Sequence, residues 1–277
     1  MKKGQGEFHI KKLSLSFIIL FFCIWFVWLI IPEALISDYL IESLEKRNVK
    51  VKLIDVKKGF FYTLNIEQCH ISHLRAYTST PLENHEDVPA FVIHNISITP
   101  DINTFLKLSP HLNFSGQMND GTIRGNFAGR QERTSFQIHG ENIQINGLPI
   151  IEKMGVHGDG TLMFNFQWSN QKGEMNFSLN NAVLKGSLTG FSALPLNSFK
   201  NAKGLLSVSD TITINSLTLE GTGIYVRMKG IVKESDFDGN IEIMLDSSFE
   251  HYHVIQPLLE QYKISPGFYV IPHNKKN

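Results

Sequence analysis

Beyond residue 48, apolar side chains recur at every second position, the spacing of a strand with one buried face and one wet face. Leu162, Phe164, Phe166 and Trp168 alternate with Met163, Asn165 and Gln167, while Met175, Phe177 and Leu179 alternate with Asn176, Ser178 and Asn180. Residues 169–173 between these runs read as a hairpin turn. Later, Ile212 and Ile214 pass through a phase slip at Ser216 into Leu217 and Leu219. Ile224, Val226 and Met228 follow, and Ile241, Ile243 and Leu245 close the series. Earlier strands are expected over 49–56, 63–68, 91–99, 112–118, 122–128 and 134–139, at the spacing of an all-β domain. No long helical stretch separates them, so the pattern predicts an all-β fold, mainly antiparallel, built as a curved sheet or a sandwich with short helices.

Two segments near the amino terminus break the two-residue period. The run LSLSFIILFFCIWFVWLII over 13–31 carries no charge and approaches the ~20 residues that cross a hydrocarbon core. Lys2, Lys3, Lys11 and Lys12 precede it, whereas Pro32, Glu33, Asp38 and Glu42 follow. That asymmetry and the lack of a small-residue cleavage site predict one retained transmembrane signal anchor, with the amino terminus in the cytoplasm. Over 32–47, Leu35, Ile36, Tyr39, Leu40 and Leu44 fall at helical spacing among Glu33, Asp38, Glu42 and Glu45, which predicts an amphipathic helix packed on the β domain. Further short helices are expected over 101–108, 148–154 and 251–262, the last interrupted by Pro257, with a loop over 75–89. The organisation expected is therefore a cytoplasmic tail (1–12), an anchor (13–31), a juxtamembrane amphipathic helix (32–47), an exported β domain (48–272) and a tail (273–277).

Charge narrows the partners. Lys plus Arg and Asp plus Glu number 26 each, so no summed field favours nucleic acid. Cys23 lies within the apolar run and Cys69 beyond it, an arrangement in which the two cannot pair, leaving Cys69 as a small buried apolar residue. Catalytic chemistry finds little support. His70 and His73, three apart on a strand, point to opposite faces; His251 and His253 lack carboxylate or thiolate company; His157-Gly-Asp-Gly160 reads as a turn before a strand. There is no G-x-S-x-G elbow and no carboxylate pair. The sequence thus indicates no catalytic residue, no metal, no cofactor and no enzyme.

Residues 148–272 carry Gly158-Asp-Gly160-Thr-Leu, Leu217-Thr-Leu-Glu-Gly-Thr-Gly223, Val226-Arg-Met-Lys-Gly230 and the ending Ile264-Ser-Pro-Gly-Phe-Tyr-Val-Ile-Pro272. In that order, behind an apolar anchor, these motifs resemble the type II secretion system protein N family and, more distantly, AsmA-like envelope proteins. The ending departs from the family pattern, with His273-Asn-Lys-Lys in place of an apolar or glycine continuation. The resemblance implies a bacterial inner-membrane protein with a periplasmic domain, held to the bilayer through 13–31 and bound to other secretion-system or envelope proteins. No catalytic residue comes with it. Two functions follow as expectations. One is a scaffold whose strand edges bind partner subunits. The other is a lipid-binding module in which Phe164, Phe166, Trp168, Phe177, Ile224, Val226, Met228, Ile241 and Ile243 line an apolar groove for acyl chains, where the plainer alternative is a filled sandwich core.

Overall fold

The computed structural model describes residues 19, 22, 23, 25–46, 49–60, 62–74, 89–101, 104, 109–130, 133–148, 156–186, 195–209, 211–233 and 236–273. The expected helix over 148–154 apart from Leu148, the loop over 75–89 apart from Pro89, most of 101–108, and both tails apart from His273 lie outside these residues.

Fourteen strands form one antiparallel sheet. They are β1 (Val49–Lys58), β2 (Leu64–Leu74), β3 (Phe91–Pro100), β4 (His111–Met118), β5 (Gly121–Arg130), β6 (Arg133–Gln144), β7 (Val156–Ser169), β8 (Lys172–Gly186), β9 (Phe199–Val208), β10 (Ile212–Gly221), β11 (Ile224–Lys233), β12 (Asp236–Leu245), β13 (Lys263–Ser265) and β14 (Phe268–His273). Each pairs with its neighbour in sequence up to β12, after which β14 lies between β12 and the edge strand β13. At roughly 4.8 Å per strand, this meander spans about 60 Å from β1 to β13. All the strands described belong to it, so the two-sheet sandwich is not the arrangement adopted among the described residues.

The two-residue period rides on bulges that keep one face apolar. Extra residues interrupt the β3–β4 register between His94 and Ser97, the β6–β7 register between Gly140 and Ile143, the β7–β8 register opposite Asp159 and Thr161, and the β10 registers after Ile214. An asparagine sits at each: Asn95, Asn142 and Asn181 have φ of 50°, 55° and 53°, and Asn215 occupies the β10 slip. Asparagine tolerates this left-handed backbone better than other side chains with a Cβ. Past each bulge the apolar phase changes from odd to even or back, as in Phe136, Ile138, then Ile143 and Ile145. Without the extra residue, the second half of the strand would present its apolar side chains to the polar face.

Helix α1 (Glu33–Glu45) crosses the β1 end on the apolar face. Ile36, Leu40 and Leu44, with Trp28, pack against a cluster of Val51, Leu64, Ile66, Cys69 and Ile96. Leu35 and Tyr39 face away, 59% and 69% exposed, so the apolar stripe of this helix is narrower than its sequence predicts. At the other end, α2 (Tyr252–Leu259) runs through Pro257 without interruption. Ile255 and Leu259, one turn apart, are buried with Phe249, Ile243 and Tyr269, and this packing outweighs the hydrogen bond that proline removes.

The expected anchor is overturned. Of 13–31, residues 19, 22, 23 and 25–31 are described, and all but Ile31 are helical; no helix among the described residues is long and apolar enough to cross a membrane. Residues 25–30 form the last of these helical turns. Ile31 and Pro32 end that turn, and Lys58, Phe60 and Tyr62 of the β1–β2 hairpin engage it. The expected localisation, a single-pass inner-membrane protein with a cytoplasmic amino terminus and a periplasmic domain, is thereby contradicted.

Candidate functional site: an apolar face half open to solvent

Residues directly opposite each other in antiparallel strands share a face, so the pairing register converts the sequence into rows of side chains running across the sheet. One row passes from Phe127 to Phe136, Trp168, Gly173, Val208, Ile212, Val232 and Phe237. The next runs from Leu64 through Ile98, Phe114, Gly125, Ile138, Phe166, Met175, Leu206 and Ile214. A third contains Gly140, Phe164, Phe177, Gly204, Leu217, Met228, Ile241 and Ile271. The fourth links Ile143, Leu162, Leu179, Ala202, Leu219, Val226, Ile243 and Tyr269. Over these stretches every row is apolar or glycine; Lys58 follows Leu64 at one end and Lys263 follows Tyr269 at the other.

Glycines within the rows make room for rings. A Cβ on Gly140 would stand 2.4 Å from Cε1 of Phe164, and one on Gly204 would stand 2.1 Å from Cε1 of Phe177. Each ring therefore lies over a neighbouring strand's bare backbone, and the rows form a low-relief bed. Three aromatics cluster in the first two rows: Phe136 and Phe166 have centroids 5.5 Å apart, and Phe136 stacks on Trp168 at 6.1 Å with 15° between planes.

Burial divides the face along the strands. On the bulge side, Met118, Ile123, Ile143, Ile145 and Leu148 form a buried cluster, and Leu196 and Phe199 join the core under α2. On the far side, Phe127, Phe136, Ile138, Phe166, Trp168, Met175, Leu206 and Ile212 all remain half-buried. The nine residues read from the sequence as a groove or core thus occupy one face but two environments. Ile224, Val226, Ile241 and Ile243 are core beneath α2, while Phe164, Phe166, Trp168, Phe177 and Met228 are half-buried. Sequence reading missed Phe114, Phe127 and Phe136, which belong to the same rows. The alternation within 112–118, 122–128 and 134–139 carried the signal.

Charge stays at the margins of this face, where Lys58 and Lys263 end two of the rows. No polar or charged residue among those described is buried, and ion pairs between strand residues occupy the other side. Arg227 Nη2 meets Glu242 Oε2 at 2.8 Å, and His139 Nε2 lies 2.9 Å from Glu141 Oε1. The hydrogen bond to Glu242 raises the Arg227 pKa, and that with His139 holds the Glu141 carboxyl below its ordinary value. A polar cleft of about 730 Å³ on the same side is lined by His94, Asn95, Gln117, Asn119, Asp120 and Thr122 among others. Its amides are largely engaged: Asn95 Nδ2 donates to Gln117 Oε1 at 3.1 Å, and Asn119 Nδ2 donates to the carbonyls of Gln144 and Asn146. His70 Nε2 lies 3.1 Å from Gln68 Oε1, and no group of three metal-ligating side chains occurs among the described residues. Cys23 and Cys69 are both free. Cys69 is buried, and burial pushes its thiol up to about 11.

The chain matches no family model, no curated protein and no solved structure. The likeness to secretion protein N therefore rests on the quoted motifs, and the site is read from its geometry.

Proposed function

We propose that this protein is a non-enzymatic lipid-binding module whose apolar sheet face holds acyl chains. The observation that carries this reading is the half-exposure of continuous aromatic and aliphatic rows across β5 to β11. A face of this kind, without buried charge, suits a ligand that is apolar along its length. Magnitudes are adequate. Roughly 14 methylenes at ~0.8 kcal/mol each would contribute about 11 kcal/mol. Association costs of at least about 4 kcal/mol leave about 7, a dissociation constant on the order of 10 μM.

The scaffold reading, in which strand edges recruit secretion subunits, draws weaker support. β13 is three residues long. The opposite edge strand, β1, carries Lys50, Lys52, Lys57 and Lys58 and bends at Asp55, whose φ is 54°. Short, lysine-rich and kinked edges discourage added strands.

Native mass spectrometry of the full chain, purified without harsh detergent, tests the lipid reading. Adducts with acyl-lipid masses are expected. A chain that stays free of adducts even after incubation with excess phospholipid would refute it.

A further inference from the structure

Helix α1 lies on the same apolar bed that the lipid reading assigns to acyl chains. The row through Phe114 and Ile138 continues through Ile98 and Leu64 to Lys58 of β1, and Leu64 belongs to the cluster against which Ile36, Leu40 and Leu44 pack. The bed therefore continues beneath the helix, by roughly 10 Å over β1 to β3.

The hold of α1 on this bed is slight within the helix itself. None of its residues is buried, Pro32 gives no side-chain cap, and its last turn carries no basic residue. Trp28, which packs with it, has a buried indole N–H with no hydrogen-bond partner, a defect that disfavours the docked state. By contrast, α2 buries Ile255 and Leu259.

What fastens α1 is a polar clamp at its amino-terminal end. The Lys58 ammonium donates to the carbonyls of Trp28, Leu29 and Ile31 at 3.2, 2.7 and 2.8 Å, where the preceding helical turn presents the negative end of its dipole. In return, Glu33 Oε1 accepts the Lys58 backbone N–H at 3.0 Å. Trp25 on Phe60 and Trp28 on Tyr62, each with centroids 5.8 Å apart, close the same junction.

We propose that α1 is a displaceable plug on the β1 end of the acyl-chain bed, latched by Lys58, which gives way when a chain occupies that end. This rests on the lipid-binding reading. A strand-end ammonium is well suited to the task, because the charge-assisted bonds to carbonyls hold the junction without committing apolar surface that the ligand needs.

Cys69, buried in the cluster beneath α1, reports the opening. In the full chain carrying Cys23→Ser, so that Cys69 is the sole thiol, maleimide labelling is timed with and without palmitate, and bound palmitate is measured in parallel by equilibrium dialysis. Saturating palmitate is expected to accelerate labelling at least tenfold. Lys58→Met is expected to accelerate it several-fold without palmitate, and Lys58→Arg to restore slow labelling. Bound palmitate with unchanged labelling of the Cys23→Ser chain would overturn the plug while leaving the lipid reading intact. Absence of bound palmitate would overturn both. The palmitate arm needs no substitution at Lys58 and so decides the matter even if Lys58→Met fails to fold.

Discussion

Asparagine at a bulge does two jobs that no sequence period announces. At Asn142 the backbone φ is 55°, a conformation that costs most residues about 1–2 kcal/mol, and the extra residue returns Ile143 and Ile145 to the apolar face. Valine there, branched at Cβ, is expected to lower stability by about 1–2 kcal/mol, whereas glycine should be nearly neutral. Denaturant midpoints of Asn142→Val and Asn142→Gly make the comparison; equal loss in both would show that the side chain, not the backbone conformation, is what matters. The slip at Ser216 was legible because Ile214 and Leu217 flank it within one apolar run. That at Asn95 was hidden inside the run expected over 91–99, where Ile93 and Ile96 change phase without a turn signal, and that at Asn181 was hidden because Leu179 to Ala182 looks like the end of a strand. For the same reason β7 and β8 extend to Val156 and Gly186, well past the alternation that marked them.

The two helices differ in how they join the sheet. Ile255 and Leu259 place α2 in the largest core cluster, next to Tyr269 and Ile243. Leu259→Ala should therefore cost about 2–5 kcal/mol, with hydrogen exchange in β12 and β14 accelerating while β4 to β6 stay protected. Uniform acceleration across the sheet would contradict a locally anchored cap. Helical spacing disclosed both α1 and α2, and Pro257 misled only about continuity. Strand β9 went unnoticed because Gly204 interrupts its apolar alternation, yet the gap is what seats the Phe177 ring. Lys58 could not have been picked out from the chain either. It is one of a run of lysines in β1, and its role depends on carbonyls some 27–30 positions earlier.

Across the whole molecule, a meander with every strand next to its sequence neighbour through β12 turns local alternation into one long apolar face. That outcome was half legible. Alternation established one apolar face per strand, but it reads the same whether a second sheet covers that face or solvent reaches it, because the period records sidedness and not what lies opposite. The half-buried state of Phe136, Phe166 and Trp168 is therefore what the lipid reading adds to the sequence, and it is also where that reading is most exposed to test. The decisive measurement is cross-linking of the full chain with a photoactivatable palmitate, followed by peptide mapping. Adducts concentrated on β5 to β8, around Phe136, Phe166 and Trp168, and diminished by Phe166→Asp in a chain that retains its circular dichroism spectrum, are the predicted result. Adducts scattered over the polar face, or unaffected by that substitution, would contradict an acyl-chain bed on this sheet.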